Sequence, residues 1–323
     1  MNTISVVIPL YNRAELITET LASIEQQQRR PDEVIVVNDH STDASVEMVH
    51  RFKKTSTLKI VLLENRRKKG VSGATNWGIK QAQGNWIALH DSDDLWMPCH
   101  LEQLENALMR FPESQLAFSA MDVFGSATDT DQKKWEFKTT TQKCLNYAFK
   151  RVDGSLWISN SNLLYALLTF GVPFRCQASL VRKEFLLDHK LSFDTDLAYT
   201  QDSHFITIAS YFSPFVYLDT MGLKLRRHAG NDGDVSYGTL IQKSYEERIK
   251  KLKKFFAEHQ LSPMEKKALE HRLDYLQTYI SNEKASNQSF KVRTATALDL
   301  LRRRPGWTST KNAVKLLIGQ KIV

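Results

Sequence analysis

Cysteine is scarce in this 323-residue chain. Cys99, Cys144 and Cys176 are odd in number, far apart and without metal-ligand spacing, which excludes a disulfide framework and a thiolate metal centre and leaves reduced thiols in a core. Long apolar runs are missing too: no stretch approaches the roughly 18 to 20 residues of a membrane span. The opening MNTISVVIPLYN has neither the basic start nor the small-residue cleavage site of a secretory leader, so a cytosolic chain is expected. Glycine is absent where a dinucleotide fold needs it, since PLYNRAEL after the first apolar run offers no turn through which a backbone could approach a pyrophosphate. No GxxxxGK[ST] sequence occurs either.

Acidic excess is lacking, and the net charge of +8 is unevenly placed. Residues 1–239 hold 26 Lys/Arg against 28 Asp/Glu, a balance of −2, whereas residues 240–323 hold 18 against 8, a balance of +10. The basic character therefore belongs to the tail.

What is present in the first 125 residues is an alternation of two periods. SVVIP (5–9), EVIVVN (33–38), LKIVLLE (58–64), NWIALHD (85–91) and LAFSAMDVFG (116–125) are short, rich in Val and Ile and apolar on both faces, the pattern of buried strands. Between them Ile17, Leu21 and Ile24, then Val46, Val49 and Phe52, then Leu101, Leu104 and Leu108 keep helical spacing. The β-α-β-α order implies an α/β fold with a mainly parallel sheet, whose ligands bind at the carboxyl ends of the strands. PLYNR, NDHSTD and HDSDD would meet on that rim. Residues 126–172, Thr-rich and then aromatic, read as an insertion folding over it. A strand and short helix follow in CQASLVRKEFLLDHKLSFD, and TQDSHFITIASYF reads as an inward helix starting near Asp202.

Asp91, Asp93 and Asp94 close together at the end of a buried strand repel one another and raise each other's pKa unless a cation is present. Mg²⁺ or Mn²⁺, which take few carboxylates and complete their shell with water and phosphate oxygens, answer that need; the simpler reading is a solvated turn with one helix cap. Asp39, before a helix, has the same two readings: an N-cap, or an acceptor for an imide N–H or a ribose hydroxyl.

Four segments in order, SVVIPLYNR (5–13), VVNDHSTD (36–43), GVSGATNWGIKQAQGNW (70–86) and DSDD (91–94), together resemble the signature of the family-2 glycosyltransferases with the GT-A fold. The likeness continues less tightly through FDTDLAYTQD and LRRHAGNDGDVS, so it implies a catalytic domain over residues 1–238, with 126–200 on the acceptor side, and a basic helical extension over 239–323. It implies inverting, metal-dependent transfer from a nucleotide-diphosphate sugar, UDP-linked above all, to a hydroxyl of a glycan or lipid-linked saccharide of a surface polysaccharide. Pro9, Tyr11, Arg13 and Asn76 would line the nucleotide end, Asp39 would hold the uracil or other base, and Asp91 the ribose or the metal. Asp93 would be the main Mn²⁺ or Mg²⁺ contact, with Asp94 close by, and Arg226, Arg227 and His228 would serve the diphosphate or the metal. Asp202 would be the base. Two departures stand out: the family's Glu-Asp pair reads Gln201-Asp202, and its Ala-Arg-Asn reads Ala74-Thr75-Asn76. At a helix N-terminus Asp202 is expected to have a lowered pKa.

The tail forms amphipathic helices, with Ile241, Tyr245, Leu252 and Phe256 on one stripe. Ser262, Pro263 and Glu265 open a second helix as a capping box. Its lysines suit an anionic membrane surface, here the inner face of the cytoplasmic membrane, or a solvated face beside a homodimer or domain interface. Two further functions compete: a sugar nucleotidyltransferase, against which the glycine-poor PLYNRAEL argues, and a non-catalytic nucleic-acid binder, for which stacking aromatics and a motif are lacking. Nucleic acid is not an expected partner.

Overall fold

The computed structural model describes residues 2–126, 130–228 and 238–286. The chain divides into two compact units, Met1–Gly233 and Asp234–Val323.

The first unit is built on one mixed sheet. β1 (Ile4–Leu10), β2 (Glu33–Asn38), β3 (Ile60–Glu64) and β4 (Trp86–Leu89) run parallel in the order β3-β2-β1-β4. They are joined by α1 (Ile17–Glu25), α2 (Ser45–Thr55) and α3 (Val71–Gln81). β1 and β2 are buried on both faces, as strands without a solvent side must be. Val7, Ile35, Val37 and Ile87 pack into one core layer, and Ile4, Val6, Ile8, Val34 and Val36 into the other. This is the two-residue alternation of a strand sandwiched between helices.

After β4 come a two-residue strand β5 (Leu95–Trp96), α4 (His100–Arg110) and β6 (Leu116–Gly125). β9 (Ser179–Arg182) lies between β4 and β6, antiparallel to both. β10 (Phe215–Arg227) runs parallel to β6 and also pairs with β5. The helices α7 (Lys183–Asp188) and α8 (Gln201–Phe212) connect these last strands.

The expectation for residues 126–172 is corrected. α5 (Thr130–Ala148) leads into β7 (Phe149–Asp153) and β8 (Leu156–Ser159), and β8 joins β10 antiparallel, so the segment widens the sheet at its far edge. Residues 127–129 lie outside the described ones. Cys144, Leu145 and Ala148 of α5 and Leu163, Ala166 and Leu167 of α6 (Leu163–Phe170) complete the core on that side. Apolar burial, worth about 1.5–3 kcal/mol for each such large side chain, decides the placement against a loop position.

α3 meets the sheet through small residues, with Trp77 and Ile79 packed at the margin of the core, because its backbone lies close to its neighbours. A Cβ at Gly78 would stand 2.4 Å from Val7 Cγ1, and one at Gly73 would stand 1.8 Å from the Lys68 carbonyl oxygen. The glycines cost helix propensity, and close contact with β1 and with the loop before α3 offsets it.

The second unit holds α9 (Gly238–Ala257) and α10 (Pro263–Ser286). Their packing brings the Tyr245 and Tyr279 rings to 5.0 Å. The capping box forms as expected: Ser262 Oγ accepts from the Glu265 N–H at 3.3 Å, and Glu265 Oε2 accepts from the Ser262 N–H at 2.8 Å. Among the described residues no helix is long and apolar enough to cross a membrane.

Candidate active site

The loops after β1 and β2 are tied to each other by short polar side chains. Ser45 Oγ accepts from the Arg13 N–H at 2.7 Å, Asp43 Oδ2 from the Ala14 N–H at 3.1 Å, and Asn12 Oδ1 from the Thr42 N–H at 2.8 Å. Asn12 and His40 take positive φ, 49° and 62°, at the tips of these loops. Asp43 also accepts from the Ser45 N–H at 3.0 Å, so capping at the start of α2 falls to Asp43 and not to Asp39.

Asp39 is instead turned toward the loop before α3. Its Oδ1 accepts from Asn65 Nδ2 at 2.6 Å and its Oδ2 from the Gly70 N–H at 2.8 Å, with 4% of the residue exposed. Each carboxylate oxygen has two lone pairs, so a third donor such as a base N–H still finds an acceptor. Gly70 turns toward this carboxylate with φ of 123°, a conformation that favours glycine. Tyr11, 45% exposed, lies under Lys69 Nζ, which is 4.8 Å from the ring centroid. Lys68, the other lysine of that loop, pairs with Asp196 at 2.8 Å.

The three acids after β4 do cluster: ligand-capable oxygens of Asp91, Asp93 and Asp94 all lie within 4.8 Å of one another. Each is held by a different neighbour. Gln177 Nε2 donates to Asp91. Asp93 Oδ2 accepts from Arg13 Nε at 2.9 Å and lies 3.2 Å from His228 Nε2. Asp94 Oδ1 accepts from the Arg226 N–H at 2.7 Å. Asp94, 2% exposed, has its pKa pushed well up, first by burial and then by the charges of Asp93 and Asp91. The set is all oxygen and crowded, which fits a hard divalent cation.

Asp202, the second residue of α8, lines one cleft together with Pro9, Ser72, Thr75, Asp91, Gln177 and Gln201. Burial raises its pKa and the Arg175 guanidinium pulls it back down. The expectation of a lowered value is therefore corrected: desolvation of the carboxylate is the largest influence on it.

Two expected residues are engaged within the protein. Asn76 donates from Nδ2 to the Phe193 carbonyl at 2.7 Å and accepts the Phe193 N–H on Oδ1 at 2.9 Å, so its amide fixes the segment before α8. Arg226 gives Nε to the Asp93 carbonyl at 2.8 Å and its outer nitrogen to Glu19 at 2.6 Å, with its guanidinium 4.7 Å from the Phe124 ring centroid. It clamps the acid turn from behind. Arg227 pairs with Gly125 in the ladder between β10 and β6.

Sequence reasoning passed over Asn65, Gln177 and Arg175. Asn65 sits in a basic loop and Gln177 in a segment without a motif; only their placement beside Asp39 and Asp91 distinguishes them. Behind the acid turn, Trp96 stacks on His90 with ring centroids 4.2 Å apart and donates from Nε1 to the Gln177 carbonyl at 2.8 Å.

Comparison with known proteins places this geometry. In sequence, the chain is 34% identical over 97 residues, 30% of its length and 38% of the relative's, to the Escherichia coli UDP-Glc:alpha-D-GlcNAc-diphosphoundecaprenol beta-1,3-glucosyltransferase WfaP. Across eight curated relatives the chain spans 16% to 68% of their length. In structure it is similar to S. aureus TarS 1-349 in complex with UDP-GlcNAc, with a TM-score of 0.61 and 18% identity over 99% of this chain and 89% of that one. It is also similar to the mannosyltransferase PcManGT from Pyrobaculum calidifontis in complex with GDP-Man and Mn²⁺, with a TM-score of 0.56 and 21% identity over 98% and 86%. These likenesses establish a GT-A fold with a helical C-terminal extension. The model of glycosyl transferase family 2 matches residues 5–185, over half of the chain, and the chain belongs to that family.

Proposed function

We propose that the protein transfers a sugar, with inversion, from a nucleoside-diphosphate sugar, a UDP-sugar in the first instance, to a hydroxyl of a glycan or lipid-linked saccharide in surface polysaccharide synthesis. The observation that carries this is the single cleft lined by both Asp91 of the acid cluster and Asp202. In it the acceptor oxygen forms a bond to the anomeric carbon while the bond from that carbon to the diphosphate oxygen breaks. Asp202 takes the acceptor's hydroxyl proton, a contribution typically of about 10²- to 10⁴-fold. Asp39 accepts from the base, and Pro9 and Tyr11 flank it. Asp91 and Asp93 would hold Mn²⁺ or Mg²⁺, with Asp94 and His228 beside them. Such an ion supplies Lewis-acid stabilisation of the departing diphosphate, and Arg13 adds a fixed positive charge at the same point.

Titration calorimetry tests the reading. UDP should bind with Mn²⁺ present and lose at least tenfold in affinity in chelator or in Asp93→Asn. Binding that ignores both treatments contradicts the metal assignment, and absence of UDP and GDP binding contradicts the donor. Lys243, Lys250, Lys253 and Lys254 stand exposed on α9, which supports contact of the extension with an anionic leaflet bearing a lipid-linked acceptor. Vesicle flotation that is equal with and without residues 239–323 removes that part.

A further inference from the structure

The cleft holds an unusual set of unused acceptors. Gln177 Oε1, Gln201 Oε1 and Ser72 Oγ are each shielded from water and have no hydrogen-bond partner, and all three residues line the same cleft as Asp202. A buried polar atom without a partner costs about 1–3 kcal/mol, so three beside one cleft indicate groups made to be satisfied by something that enters it. For Gln177 the orientation of the amide is fixed: Nε2 faces the Asp91 carboxylate, so the other end is an acceptor.

The charge of the lining adds a second constraint. Asp91 and Asp202 line the cleft, and among the described residues that line it there is no lysine or arginine. A sugar bearing a carboxylate would bring a further acceptor against these amide oxygens, whereas hydroxyl and acetamido groups bring the donors that they lack.

We propose that Gln177 and Gln201 are specificity-determining residues that select a donor with a neutral hexose or N-acetylhexosamine and reject uronic-acid donors. The inference rests on the donor-transfer reading above and names its substrate class. Gln201 is central, because the position carries a neutral amide where a cation would reverse the choice.

The test measures binding of UDP, UDP-glucose, UDP-N-acetylglucosamine and UDP-glucuronic acid to the full chain with Mn²⁺, in wild type and in Gln201→Lys. At least one neutral donor should bind ten or more times as tightly as UDP-glucuronic acid, and Gln201→Lys should shrink that ratio at least fivefold. UDP-glucuronic acid binding as well as both neutral donors, or a ratio unmoved in Gln201→Lys, overturns the proposal while UDP binding leaves the donor-transfer reading standing. Failure of UDP itself to bind overturns this proposal, and failure of GDP as well overturns the donor-transfer reading.

Discussion

Arg13 donates from Nε to Asp93 Oδ2 over 2.9 Å, joining the loop after the first strand to the acid turn after the fourth. A charge-assisted bond of this kind is worth about 1.5–3 kcal/mol. Arg13→Ala should therefore raise the donor KM by about tenfold or more with the far-UV spectrum unchanged. Arg13→Lys should restore little of it, since an ammonium lacks the planar fork that reaches a neighbour and a phosphate together. A donor KM equal to wild type in Arg13→Ala removes the role.

Asp202→Asn should lower kcat by about 10²- to 10⁴-fold while UDP affinity stays within twofold. Its pH dependence has a definite sign. The base must be ionised, and burial raises its pKa above the ordinary 3.8, so kcat falls as pH is lowered through that raised value. Arg175 holds the value down, so Arg175→Gln should move the acid limb of kcat to higher pH. A limb that stays in place shows that the limb belongs to another group.

Two histidines give the fold its own pH dependence. His90 and His100 are wholly buried, and burial lowers both, His100 to about 3. Below about 6.5 the unfolded chain binds protons that the folded chain refuses, so these two groups destabilise the fold as pH drops from 6.5 toward 3. Each contributes a slope of up to about 1.4 kcal/mol per pH unit. Asp94, whose pKa is raised, acts with the opposite sign. The clean measurement is a difference: urea unfolding of wild type should lose more stability between pH 7 and pH 5 than His100→Phe loses.

Gly73→Ala should destabilise by about 1–3 kcal/mol or more, because the new methyl meets a backbone oxygen that no rotamer change can move. The same shift disturbs the loop that presents Gly70 to Asp39, so UDP affinity should fall together with the denaturation midpoint. Normal affinity in a destabilised Gly73→Ala chain separates the two.

Much of this was legible in the residues. EVIVVN and LAFSAMDVFG coincide with β2 and β6 because their apolar character is set locally and their ends are marked by polar loops. The grouping of Asp91, Asp93 and Asp94 was legible because carboxylates crowded at a strand end carry a cost, whereas Asp202 stood out only through the family resemblance. α3 was not, since its apolar signal is replaced by Gly73, Ala74 and Gly78, whose value lies in what they let approach. Asn76 and Arg226 share motif positions with ligand-binding groups but are committed to Phe193, Glu19 and the Asp93 carbonyl, partners up to 207 residues away that no local pattern announces. Gln177 was invisible for the same reason.

Trp96 reaches from the far core layer to the Gln177 carbonyl. The gap across which a sugar would sit is thus gauged from the opposite side of the sheet by one indole. Exchanging the side chain at position 177 alters what the cleft reads and leaves its breadth intact, whereas replacing Trp96 would let the breadth drift. Selectivity and aperture can accordingly vary one at a time.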